Sequence, residues 1–172
     1  MLSRTDIFEL GGLRLVAGEG RCFELALEID PLTLGGERYP VPSGLVAARL
    51  DISRTTAAGY ALRLRFQAIP TGPCMRCLQP AEVTCVVDAR EIAQEGEIDD
   101  LASPYVESGS LDLKAWGRDS LALALPVALL CRADCPGLCP ECGADLNAAG
   151  PEHRHAGQPD LRWAKLSEVR FE

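Results

Sequence analysis

At 172 residues, 47% of them hydrophobic, the chain has the apolar content for one compact domain with a small appendage, and no apolar run approaches the length of a membrane span. The start, Met-Leu-Ser-Arg-Thr-Asp-Ile-Phe-Glu-Leu, lacks the charged opening and continuous apolar run of a secretory signal, so the cytoplasm is the expected address. A net charge of −8 excludes a bulk coat for a phosphate backbone and favours a basic protein partner, or nucleic acid touched through one local patch.

In chain order, the first half reads as strands. Cys22 to Ile29 sets Phe23, Leu25, Leu27 and Ile29 on one face against Cys22, Glu24, Ala26 and Glu28 on the other, the period of a half-buried strand. Pro31, Gly35-Gly36 and the stretch from Pro40 to Gly44 punctuate the chain after it. Leu45–Ser53 and Tyr60–Ile69 form the next pair, turning at Ala57-Ala58-Gly59, with Leu62, Leu64 and Phe66 inward and Arg63, Arg65 and Gln67 outward. Those arginines read as a solvated strand surface that discourages aggregation. Ala81–Ala93 is a further long strand, with Val83, Cys85, Val87 and Ala89 on one face.

After an acidic connector, Glu91–Asp100, the period changes. Leu113, Trp116, Ser120, Leu121 and Ala124 recur at helical spacing, Asp112 or Ser110 can cap the start, and Pro126 limits the end. A last short helix opens at Pro159-Asp160 and carries Leu161, Trp163 and Leu166. The expected class is α+β: a mainly antiparallel, barrel-like sheet with one packing helix in residues 1–126, and a zinc-knuckle segment with the C-terminal helix in residues 127–172.

Eight cysteines without an export signal point to metal or redox roles instead of disulfides. Six of them, with both histidines, fall into four close pairs: Cys74 with Cys77, Cys131 with Cys135, Cys139 with Cys142, and His153 with His155. A pair one to three residues apart aims two donors at one ion, so each pair is half of a tetrahedron and four halves make two sites. Cys139, Cys142, His153 and His155 are adjacent in sequence and form the first grouping; Cys74, Cys77, Cys131 and Cys135 form the second, through a tertiary contact that spacing cannot show. Pairing Cys74 and Cys77 with Cys139 and Cys142 is an alternative partition. Gly143 and Pro140 suit a tight knuckle around Cys139 and Cys142. One or two Zn²⁺ ions are the expected cofactor, although iron suits an all-thiolate set. With six thiolates and two zinc ions the net charge falls to about −10.

Plainer readings stand beside these. Cys22 and Cys85, alone within strand patterns, read as buried free cysteines. The histidines could be solvated loop residues, and the two Cys-x-x-Cys pairs could be redox dithiols, although neither sits at a helix start in a βαβ setting. No enzyme constellation appears: with both histidines assigned to metal, no base is left for a nucleophile, and no Gly loop precedes a helix to cradle phosphate. Arg76, Arg132 and Arg154 lie within the donor pairs, where they can contact RNA phosphates or an acidic protein surface, or only neutralise thiolates.

The runs Pro73-Cys-Met-Arg-Cys-Leu78, Leu121-Ala-Leu-Ala-Leu-Pro126, Leu130-Cys-Arg-Ala-Asp-Cys-Pro-Gly-Leu-Cys-Pro-Glu-Cys-Gly-Ala-Asp-Leu-Asn147 and Pro159-Asp-Leu-Arg-Trp-Ala-Lys-Leu166 resemble the YceD family, the large ribosomal RNA subunit accumulation proteins. The resemblance is specific from about Pro73 onward and is one of pattern only before it. Many members end the cluster with Cys-x-Cys where this chain has His153-Arg-His155, which preserves a donor pair. The resemblance implies a factor needed for large-subunit ribosomal RNA to accumulate, and the lack of an enzyme constellation makes a non-enzymatic role the expectation. Its expected partner is a ribosomal or RNA-processing protein docked on a zinc-stabilised surface, with limited RNA contact. The competing expectation is a zinc-containing regulator that binds nucleic acid directly.

Overall fold

The computed structural model describes residues 3–56, 59–94, 102–150 and 152–155. In chain order it contains β1 (Ile7–Glu9), β2 (Gly20–Glu28), β3 (Leu32–Leu34), β4 (Glu37–Tyr39), β5 (Leu45–Arg54), β6 (Tyr60–Ala68), β7 (Thr71–Pro73), β8 (Pro80–Glu82), β9 (Cys85–Ala93), β10 (Val106–Glu107), β11 (Ser110–Asp112), α1 (Leu113–Ala124) and α2 (Leu146–Ala149).

The four long strands carry the strict alternation of a sheet with one buried face. They pair antiparallel in the order β2-β5-β6-β9. The register lines Phe23, Leu50, Leu64 and Ala89 into one row across the sheet, and Leu25, Ala48, Phe66 and Val87 into the next. A shift of one residue would turn every such row to solvent, so burial itself selects this pairing.

Helix α1 covers the buried face. Asp112 caps it by accepting a hydrogen bond from the Ala115 amide at 2.8 Å. Leu113, Trp116, Gly117, Ser120 and Leu121 are its buried residues, and it touches β1, β2 and β9. A methyl group at Gly117 would sit 2.6 Å from a Leu27 methyl, so glycine permits this close approach. The small sheet β1-β11-β10 leads into the helix, and the Tyr60 hydroxyl donates to the Leu10 carbonyl at 3.2 Å to tie it to the main sheet.

Two expectations need correction. The main sheet is open and not a closed barrel: β2 and β9 are its edges, and α1 reaches both of them. Barrel closure takes more strands than these four. The stretch Ala81–Ala93 is two strands, because β8 turns back to pair with β7 while β9 joins the main sheet. The Gly35-Gly36 punctuation makes a tight hairpin between β3 and β4, with both glycines at positive φ (60° and 88°). The helix expected from Pro159 lies outside the described residues. Among the described residues no helix is long and apolar enough to cross a membrane.

A second, smaller buried cluster adjoins the main core through Tyr39 and Val83. Its members are Cys74, Cys77, Ala81, Leu129 and Cys135. Three of these five are thiols, so apolar burial alone offers this cluster little cohesion.

Candidate metal centres

The turn from β7 to β8 is Cys74-Met75-Arg76-Cys77-Leu78. The Leu78 amide donates to the Cys74 carbonyl at 2.9 Å, and the Cys74 amide donates to the Gln79 carbonyl at 2.8 Å. The same pair of bonds recurs at the second knuckle: the Gly143 amide reaches the Cys139 carbonyl at 2.8 Å, and the Cys139 amide reaches the Ala144 carbonyl at 2.8 Å. Each turn closes on a residue in the left-handed region, Leu78 at φ 61° and Gly143 at φ 73°. One local device is therefore built twice.

The first knuckle receives the chain leaving α1. The Met75 amide donates to the Leu129 carbonyl at 2.9 Å, the Leu138 amide to the Arg76 carbonyl at 3.2 Å, and the Arg76 guanidinium to the Cys135 carbonyl at 2.8 Å. Gly137, at φ 83°, passes so close that a Cβ there would lie 3.0 Å from the Arg76 carbonyl oxygen. These contacts bring Cys131 and Cys135 onto Cys74 and Cys77. All four sulfurs lie within 4.8 Å of one another, and the ring of Cys139, Cys142, His153 and His155 obeys the same limit. The alternative partition, Cys74 and Cys77 with Cys139 and Cys142, is not the one the fold assembles.

The distances test whether an ion fits. Tetrahedral metal–sulfur bonds of about 2.3 Å imply sulfur–sulfur edges of about 3.8 Å. The Cys74–Cys135 and Cys77–Cys131 edges are 3.9 and 3.6 Å, and none of these thiols is in a disulfide. With metal–nitrogen bonds of about 2.0–2.1 Å, the sulfur–nitrogen and nitrogen–nitrogen edges should be about 3.6 and 3.4 Å. Cys142 Sγ lies 3.4 Å from His153 Nε2, and the two Nε2 atoms lie 2.9 Å apart. The shorter imidazole edge narrows that one angle at the ion to about 90°. Both donor sets fit a bound metal ion.

The electrostatics prepare the donors. Burial pushes the Cys74 thiol up, but the amides of Cys77, Cys131 and Arg76 outweigh it and bring it down to about 6. The amides of Cys142 and Glu141, followed by the His153 ring, bring Cys139 down to about 6. Asn147 Nδ2, 3.4 Å from Cys135 Sγ, is the leading cause that lowers Cys135. Burial, and then Cys135 beside it, pushes Cys131 up to about 12. Some thiols are thus ready to ionise while their neighbour resists, and a cation is what lets all four ionise together.

The surrounding groups have distinct roles. Asp145 caps α2 and also accepts from Asn147 Nδ2 at 2.7 Å, so Asn147 is held in the loop of one centre while it donates to a sulfur of the other. Glu141 lies 3.5 Å from His155 Nδ1 and orients that ring. Arg76 is occupied by the Cys135 carbonyl, Arg132 lies 3.3 Å from Asp134, and Arg154 is exposed. Cys85 is buried as expected of a free cysteine, whereas Cys22 is exposed on the outer face of the sheet. Sequence reasoning missed Asn147 and Leu78. Aligning the two Cys-x-x-Cys knuckles places Leu78 where the other has Gly143, and this mismatch was the available signal.

The family described as large ribosomal RNA subunit accumulation protein YceD matches residues 62–170. An uncharacterized protein of Mycobacterium bovis and another of Mycobacterium tuberculosis are each 36% identical over 164 residues, covering 91% of this chain and 78% of theirs. An uncharacterized protein of Mycobacterium leprae is 34% identical over 102 residues, 56% of this chain and 46% of its own. No solved structure matches. The chain therefore belongs to the YceD family of large ribosomal RNA subunit accumulation proteins, whose membership implies a role in the accumulation of that RNA.

Proposed function

We propose that this protein supports large-subunit ribosomal RNA accumulation as a non-enzymatic assembly factor in the cytoplasm. Its zinc-held loops dock a basic ribosomal or RNA-processing protein, with limited RNA contact through arginines such as Arg132 and Arg154. Zinc is the ion this reading names: two cysteines with two histidines are its structural donor set, and four cysteines suit it as they suit iron, a choice that elemental analysis decides. Cys74, Cys77, Cys131 and Cys135 hold one ion, and Cys139, Cys142, His153 and His155 the other. When bound, zinc supplies a cross-link and thiolate neutralisation, and with four protein donors each it has no open position for catalysis.

The observation that carries the docking reading is the surface beside the buried centre. Met75 and Leu78, 60% and 66% exposed, project from the knuckle, and Leu78 does so from a left-handed backbone that disfavours leucine. They border a groove of about 670 Å³ that Leu34, Tyr39, Val127 and Leu129 also line. Exposed apolar side chains gathered on a rigid, metal-held turn are the anatomy of an interface core, and the acidity of the chain selects a basic partner.

The test is affinity capture from lysate with and without nuclease, together with elemental analysis of the bait. A ribosomal or processing protein retained after nuclease, and lost from a Met75→Glu/Leu78→Glu variant that keeps both zinc ions, is the expected result. Loss of every ribosomal partner on nuclease treatment overturns the protein-first reading in favour of direct nucleic-acid binding.

A further inference from the structure

The outer face of β9 presents Val86, Asp88, Arg90 and Ile92 in succession. Val86 and Ile92 are 72% and 55% exposed. β9 is nine residues long and lies at the end of the main sheet. Among the described residues no backbone hydrogen bond reaches its far side. Long open edges are normally shortened, bulged, charged or covered; β9 is long, unbulged and without lysine or proline, and its charges are Asp88 and Arg90 on the outer face and Glu91 on the inner.

The four outward residues read apolar, acidic, basic, apolar, which is self-complementary when the strand is reversed. We propose that β9 pairs antiparallel with β9 of a second copy of this chain, about a two-fold axis at Ala89, to make one continuous eight-stranded sheet. Asp88 then faces Arg90 of the second copy, and Val86 faces Ile92 of the second copy, each pair occurring twice by symmetry. Ala89 meets its own counterpart, and its small side chain leaves room at the axis.

Two observations select this register. Centring the pair on Asp88 or on Arg90 would set aspartate on aspartate or arginine on arginine, which is repulsive. In the single chain Arg90 already lies directly opposite Arg63 and makes no ion pair among the described residues, while Arg63 is bound to Asp88 at 2.6 Å. The second copy's Asp88 supplies the carboxylate that Arg90 lacks. This inference is independent of what the metal centres hold.

The test is the mass of the full chain in reducing buffer by light scattering and sedimentation across a concentration series. A dimer of twice the 18.5 kDa chain mass is expected. Arg90→Asp should weaken it at least tenfold by facing Asp88 of the second copy, and Asp88→Arg likewise by facing Arg90. The double swap Asp88→Arg/Arg90→Asp restores the pairing in reversed sense and should recover affinity to within about threefold of the parent. Ile92→Lys should also weaken the dimer while a far-ultraviolet spectrum reports an intact fold. A monomer at all concentrations overturns the proposal, as does a dimer indifferent to Arg90→Asp or one dissolved by chelator alone.

Discussion

The two candidate metal centres use the same knuckle and do different things with it. The four-thiol centre is buried save for Cys131, joins residues 54 to 61 apart in sequence, and pins the chain leaving α1 to the β7–β8 hairpin. The mixed thiol–imidazole centre is largely exposed and closes a span of only 11 residues between Cys142 and His153. The first is part of the tertiary structure, since its thiols are most of a small core; the second organises mainly its own loop. Asn147 joins them, so the exposed loop is braced by the buried one.

Removing one donor from the buried centre is therefore expected to have the largest effect. Cys77→Ser is expected to cost about 4 kcal/mol and roughly 8–16 °C in Tm, because metal binding free energy is here folding free energy. Calorimetry and metal content per chain check it, and an unchanged Tm with one ion lost would mean the main core does not depend on this cross-link. His155→Ala should also lose one ion but lower Tm far less, which contrasts the two centres directly.

Asn147→Ala tests the bridge between them. It lies outside both donor sets, yet it should weaken binding of the ion in the four-thiol centre about 10–100-fold in chelator competition, as loss of a hydrogen bond to a ligand commonly does. An effect confined to the mixed centre would show that the loops are independent.

Acid separates the centres by access. A thiol whose value is depressed is a thiolate at neutral pH and gains a proton as the pH falls through that value, so in the metal-free protein Cys139, at about 6, is largely a thiolate at pH 7 and protonates below about pH 6. A bound ion competes with that proton, so metal binding weakens as the pH falls and the ion holds its donors to lower pH than the free thiols alone would allow. In cobalt-substituted protein the exposed centre should lose its absorption first as the pH is lowered from about 7.5 to about 5.

The smallest effect compares the knuckles themselves. Leu78→Gly gives the first turn the residue the second already has. Relief of a left-handed leucine, worth about 1–2 kcal/mol, less about 0.5–1 kcal/mol of added chain entropy, should leave a gain of about 0.5–1 kcal/mol. A raised Tm with weaker partner capture would show that Leu78 is kept for its side chain at the expense of stability.

Much of this was legible beforehand because the signals are local. The alternation from Phe23 to Ile29 and from Leu62 to Phe66, the Asp112 cap and the limit set by Pro126 all act within a few residues, and β2, β6 and α1 lie where they indicate. The break between β8 and β9 was not legible, since Val83 continues the alternation and only the return of β8 to β7 interrupts it. Nor could periodicity reveal that Arg76 is held by the Cys135 carbonyl, a contact across 59 residues.

By itself, the sequence determined the four donor pairs, the strand faces and the capped helix, because spacing, period and capping are properties of neighbouring residues. Only the tertiary structure decided which half-sites meet, that the sheet stays open with α1 reaching both its edges, and that Asn147 serves a sulfur outside its own loop. Those outcomes depend on how distant segments bury their surfaces against one another, and no short-range pattern encodes that.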